Sequence, residues 1–162
     1  MFTSGQFLHR RLLASDLRDA QSLKADAPGA TGSVAIWDVL LYLVEVAEFG
    51  ARMATAMGLD QVTFDVALDG IAGRQLITGV FERDLPGHYI ATGNRFEATE
   101  TVELGNLLAD PAAVGVQLAQ RILLQFGLNT PDAVLYDWQE GTFKAEPVTR
   151  AETSAGPATS SR

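Results

Sequence analysis

The stretch SVAIWDVLLYLVEVAEFGARMATAMGL, Ser33 to Leu59, decides how this chain folds. Its only charges are Asp38, Glu45, Glu48 and Arg52, which at 100° per residue fall within an arc of about 80°. Apolar side chains fill the rest of the cylinder: Val34, Ile36, Trp37, Val39, Leu40, Leu41, Leu43, Val44, Val46, Phe49, Met53 and Met57. A surface helix hides one stripe of roughly 100° or a little more. This one is therefore expected to be the central beam of a fold, covered from more than one side by its own chain or by a partner. Ser33 reads as its N-cap and Gly58 as its end.

Towards the C-terminus, Val62, Phe64, Val66 and Leu68 alternate with Thr63, Asp65, Ala67 and Asp69, the pattern of a half-buried strand. Asp69-Gly70 opens a turn that Gly73 closes, Arg74 to Phe81 reads as a second strand, and Glu82 to Gly87 as a loop. Gly93-Asn94 separates His88–Thr92 from Arg95–Leu104 in the manner of a two-residue hairpin with glycine first. That register sets Thr92 against Arg95 and Ala91 against Phe96. It puts Tyr89, Ala91, Phe96, Ala98 and Val102 on the core face, and His88, Ile90, Thr92, Arg95, Glu97 and Thr99 on the other.

Asp110-Pro111 signals a helix start, with an acidic N-cap and proline in the first helical position, and Gly127 a stop after Phe126. Gln117, Gln120, Arg121 and Gln125 share its wet arc. Residues 133–139 read as a helical turn or two with Trp138 docking, or as a short strand, because Val134, Tyr136 and Trp138 also alternate.

On the N-terminal side, residues 4–25 read as helical, with Leu8, Leu12, Leu13, Leu17, Ala20 and Leu23 on one broad face that also holds His9 and Asp16. A break near Ser15, where Ser-Asp could start a second short helix, would account for these two, and the breaker Ala27 to Gly32 follows. The expected fold is α+β: a four-stranded antiparallel meander packed on one face by the long central helix and the 111–126 helix, with an N-terminal helical arm. A single domain spans residues 1–144, of which 1–30 are the arm and its linker. From Ala145 onward nothing calls for burial, so 145–162 is predicted to be a disordered tail.

The 162 residues are 47% hydrophobic, enough for a real core, and carry a net charge of -8. That balance opposes non-specific nucleic-acid binding. Zero cysteines exclude disulfides and thiolate chemistry, and two histidines exclude a multi-histidine metal site within one chain. The charges interrupt the central helix too often for a membrane span, and Asp16 and Asp19 follow Arg10 and Arg11 where an export signal would be apolar. A cytoplasmic protein without metal or cofactor is the expectation.

No constellation of residues marks a reaction. Asp38, Glu45, Glu48 and Arg52 read as the one line of the helix that touches water, with Glu48 and Arg52 an ordinary i,i+4 pair. His88 has no serine or cysteine motif to activate, and His9 sits on an apolar face as a satisfied histidine. Gly70-x-x-Gly73 opens a strand rather than a helix, which speaks against a phosphate loop.

Surplus apolar surface is the positive signal. Leu124 lies in the polar arc of its helix, Ile90 lies on the outer hairpin face, and Arg10, Arg11 and Arg18 mark the arm. The leading expectation is a non-catalytic protein-interaction or recognition module, self-associating or an accessory subunit of a bacterial-type cytoplasmic assembly, with those five residues facing the partner. An alternative is a small ligand-binding or enzymatic domain whose outer sheet face gathers Arg74, His88, Arg95, Glu97 and Thr99. A further alternative is nucleic-acid contact through Arg10, Arg11 and Arg18.

Overall fold

The computed structural model describes residues 5–17, 23–79 and 85–144, without the side chains of 140–144. In chain order its elements are α1 (Ala14–Leu17), β1 (Gly32–Ala35), α2 (Ile36–Met57), β2 (Gln61–Asp69) and β3 (Arg74–Ile77). They are followed by β4 (Tyr89–Ile90), β5 (Arg95–Glu103), α3 (Leu104–Ala109), α4 (Pro111–Gln125) and α5 (Asp132–Lys144). The class is mixed α+β, with a long central helix. The expected tail, 145–162, lies outside the described residues.

α2 is the beam. Ile36, Val39, Leu40, Leu43, Val44, Ala47, Ala51 and Ala54 are buried, while Trp37, Leu41, Tyr42 and Val46 are half-buried. The helix ends at Gly58, whose φ of 64° lets its N–H reach back to the carbonyls of Ala54 and Thr55. Ser33 is not its N-cap. It belongs to β1, is buried, and donates its hydroxyl to the Leu23 carbonyl, while Ala35 caps the helix without a side-chain bond. The apolar run thus begins as a buried strand and turns into a helix without a break. Buried strands and buried helices share the same apolar composition, so periodicity cannot mark the junction.

Among the described residues the strands do not form a four-stranded meander, and the expected second strand, 74–81, is seen as Arg74–Ile77, with 80–84 outside the described residues. β1, β3 and β4 make one small sheet, with β1 parallel to β3 and β4 antiparallel to it; β2 and β5 make a separate two-stranded ribbon. The Gly93-Asn94 hairpin does not form either. β5 turns away from β4 and pairs with β2 over nine residues, from Gln61↔Glu103 to Asp69↔Arg95. One tight turn is a local preference, whereas nine pairs with Phe64, Phe96 and Ala98 in the core are a cooperative, long-range gain. The side-chain alternation of both strands survives, because it depends on the pleat and not on the neighbour. β2 runs exposed–inward along its whole length, with Thr63, Asp65, Ala67 and Asp69 outward.

α4 crosses α2 so closely that a Cβ on Gly115 would sit 2.5 Å from the Val44 Cα. Val114, Val116, Leu118, Ile122 and Leu123 are buried on the α4 side. The segment after Pro131 is helical, so the strand reading of 133–139 is set aside. Leu135 is its fully buried anchor and Trp138 packs against the core. α3 had no cue in the sequence beyond the helix start that follows it.

Asp110 caps α4 as expected, its Oδ1 accepting from the Ala113 N–H at 2.9 Å with Pro111 next in line. Asp110→Ala should cost about 1 kcal/mol and Asp110→Asn almost nothing, measured by urea unfolding. Equal losses in the two variants would contradict the capping role.

Candidate functional site

Among its described residues the N-terminal arm is not a continuous helix. Ala14–Leu17 are α-helical, residues 5–13 run antiparallel to α2 in an extended course, and 18–22 lie outside the described residues. Contacts fix the direction: Gly5 lies by Met57, the Phe7 ring is 4.7 Å from the Phe49 ring, His9 shares a 2.7 Å hydrogen bond with the Tyr42 hydroxyl, and Arg11 reaches Asp38. Phe7, His9, Arg11 and Leu13 thus alternate with Leu8, Arg10 and Leu12, the period of an extended chain. Leucines spaced four apart imitated a helical face, yet Leu8 and Leu12 point to solvent.

Asp38 is the anchor, and it corrects the expected water-facing stripe. Glu45, Glu48 and Arg52 are exposed, with Glu48 and Arg52 paired at 3.0 Å, but Asp38 is only 3% exposed. Its Oδ1 accepts from Arg11 Nη2 at 2.5 Å and its Oδ2 from the Ala14 N–H at 2.8 Å. The same guanidinium lies 4.1 Å from the Tyr42 ring centroid, a cation–π contact. Burial raises the pKa of the Tyr42 hydroxyl, and Glu45 adds to that while Arg11 opposes it. Further along, the Ser15 hydroxyl donates to the Ser33 carbonyl and Asp16 pairs with Arg74 at 2.6 Å.

The docked arm leaves several large apolar side chains in water. Leu8 is 81% exposed, Leu17 67%, Phe7 63% and Leu12 62%, and Phe49, Met53, Met57 and Leu59 are exposed nearby on and after α2. Between arm residues 8–13 and β2 residues 65–69 lies a slot of about 870 Å³. Val39, Leu43, Val66, Leu68 and Ile122 line it with apolar surface; Asp65, Asp69, Arg95, Glu97 and Thr99 give it a polar side.

Sequence-selected residues are distributed differently from expectation. Leu124 and Ile90 are exposed, as is Arg10. Arg11 is committed to Asp38 within the chain, and Arg18 lies outside the described residues. Arg95, Glu97 and Thr99 share the ribbon's outer face: Arg95 joins Asp69 at 2.6 Å and Glu97 at 2.5 Å, while Thr99 donates to Asp65 at 2.8 Å. The Arg95 guanidinium is held more firmly protonated by Glu97 first and then Asp69. Arg74 opens β3 and His88 immediately precedes β4, at the three-stranded sheet instead. Arg74 binds Asp16, and His88 shares a 3.2 Å bond with Gln75, whose side chain also caps the Asp26 and Ala27 N–H groups. Gln75 is the main reason the Asp26 carboxyl titrates below its usual value, with His88 a lesser cause. The five residues of the alternative site therefore form two groups, and His88 faces Gln75 and Asp26 rather than Thr99. Among the described residues no cluster of histidine and carboxylate ligands could hold a metal, and no helix is long and apolar enough to cross a membrane.

The polar arc of α4 is not simply wet. Gln125 exchanges hydrogen bonds with the Glu97 N–H (3.2 Å) and carbonyl (2.8 Å), Arg121 donates to the Thr99 carbonyl at 2.7 Å and pairs with Glu100, and Gln120 donates to the Thr130 carbonyl. This arc closes the outer edge of β5. No family model, curated protein or solved structure matches this chain.

Proposed function

We propose that this protein is a protein-interaction module that presents the arm-and-α2 face to a partner. The exposure of Phe7, Leu8, Leu12 and Leu17 on a segment tied down by Asp38 carries the reading. Isolated exposed leucines are ordinary. Phe7, Leu8, Leu12 and Leu17 fall within eleven positions of the arm, and the Phe7 ring meets Phe49 on α2, where Met53 and Met57 are also exposed; large apolar side chains left in water at this density mark interaction surfaces. The buried anchor matters as much as the patch, because a segment ordered in advance loses less entropy when a partner covers it. The chain's acidity and Arg11's engagement with Asp38 leave the nucleic-acid reading with little to stand on.

The test is a triple variant, Phe7→Ser, Leu8→Ser and Leu12→Ser. Wild type should form a stoichiometric complex, with itself or with a protein co-purified from its native cells, seen by light scattering after size exclusion. The variant should lose that complex while its far-UV circular dichroism stays unchanged. A wild-type chain that remains monomeric and alone sinks the proposal, as does a triple variant that assembles normally.

A further inference from the structure

We infer that the free edge of β2 accepts an antiparallel strand, supplied by a partner whose sequence alternates apolar and basic residues. The inference rests on the interaction-module reading and names where and how such a partner would be held. Backbone direction is settled by bonds at both ends and on the far side of the ribbon. The Leu104 N–H bonds the Asp60 carbonyl and the Gly70 N–H bonds the Asn94 carbonyl, while the Glu97 N–H and the Glu97 and Thr99 carbonyls bond α4 side chains. In an antiparallel ladder bonded and non-bonded pairs alternate. Even-numbered β2 residues therefore bond β5, and Thr63, Asp65 and Ala67 aim their N–H and C=O groups at the open edge. None of these groups has a hydrogen-bond partner among the described residues.

The slot selects the strand's side chains. A residue paired with Asp65 would share its outward face, beside a carboxylate that has no cationic partner among the described residues, so a basic side chain fits there. Intervening residues would point inward onto Val39, Leu43, Val66 and Leu68. A second copy of β2 would bring further aspartates to the same rim on another chain of charge -8. Charged edges discourage such self-pairing while still admitting a strand of opposite sign.

The probe is an acetylated, amidated octapeptide of alternating Val and Lys, titrated into the full chain and followed by backbone amide NMR. Saturable binding is expected, with the Thr63, Asp65 and Ala67 amides becoming protected from exchange. Lysines opposite Asp65 and Ala67 would turn their own N–H groups to β2, so N-methylation at lysine should weaken binding by about tenfold or more and N-methylation at valine much less. Ala67→Pro deletes an edge N–H without touching the β2–β5 ladder, and should weaken binding similarly, whereas Ala67→Ser should not. Protection of the Val66 amide checks that the ribbon is intact in the proline variant; if that variant does not fold, the methylated peptides decide alone. No binding at about 1 mM, equal binding of the lysine-methylated peptide, or greater sensitivity at valine overturns the inference. Complex formation that survives Ala67→Pro but not the arm substitutions would remove the strand pairing and leave the interaction face standing.

Discussion

Gly115→Ala should destabilise the protein by about 3 kcal/mol and lower its melting temperature by about 10 °C. Alanine in mid-helix normally helps, by about 1 kcal/mol relative to glycine. Here the new methyl would meet the backbone of α2, 2.5 Å from the Val44 Cα and 2.7 Å from its nitrogen. A flexible side chain could move aside, but a helix backbone cannot without dragging Leu40 and Leu43 from their contacts. Overpacking of this kind costs about 1–3 kcal/mol and more where backbone must shift, so the clash outweighs the propensity gain. Gly105→Ala in α3 is the matched comparison. Nothing lies within 4 Å of its added methyl, so a small gain of about 0.5 kcal/mol is expected. Calorimetry of the two variants should give shifts of opposite sign. A Gly115→Ala protein as stable as wild type would mean that α2 and α4 do not cross at this distance.

Asp38→Ala should release the arm while the rest of the fold stays closed. Removing the carboxylate orphans the Ala14 N–H and frees Arg11. An unsatisfied buried donor costs about 1–3 kcal/mol, and losing one partner of a buried ion pair about 3–5 kcal/mol. The lower range applies because the Arg11 side chain is 36% exposed and can return to water. The total is also capped by the free energy of docking the arm, since undocking relieves whatever was stranded. About 2–3 kcal/mol of local opening follows, so trypsin should cut after Arg10 at least tenfold faster than in wild type. Slowly exchanging amides of α4 should not change. Breaking the exposed Glu48–Arg52 pair, by contrast, should cost only about 0.3–0.5 kcal/mol. Unaltered cleavage in Asp38→Ala would show that something other than this carboxylate holds the arm.

The two variants also separate what was legible from what was not. α2, the half-buried alternation of β2, the Asp110-Pro111 start and the Gly58 and Gly127 stops all rest on interactions within a few residues, and the structure contains each of them. The α2–α4 crossing at Gly115 rests on a contact between residues far apart in the chain, and one glycine in a helix-forming run does not announce it. The charged neighbours of Asp38 on the helical wheel point to a water-facing side chain. Its burial depends on Arg11, 27 residues away. A sign was available in the alternation Phe7, His9, Arg11, Leu13, but the leucine spacing of the same segment competed with it.

The candidate site was the least legible part. Exposed Leu124 and Ile90 could be read from local pattern, but the slot exists only because an extended arm and a strand edge lie across from each other. The site grouping of Arg74, His88, Arg95, Glu97 and Thr99 presupposed one sheet. Two sheets formed, and the grouping divided between them.

Sequence alone determined which segments are helical or extended over most of the chain, and which side of each is apolar, since side-chain period and capping chemistry act locally. Tertiary structure decided which strands pair, which carboxylate is buried, and which strand edge has no partner among the described residues. Those outcomes depend on competition between distant segments for the same hydrogen bonds and the same apolar surface, and the ladder that buried more side chains, β2 with β5, prevailed over the nearer turn.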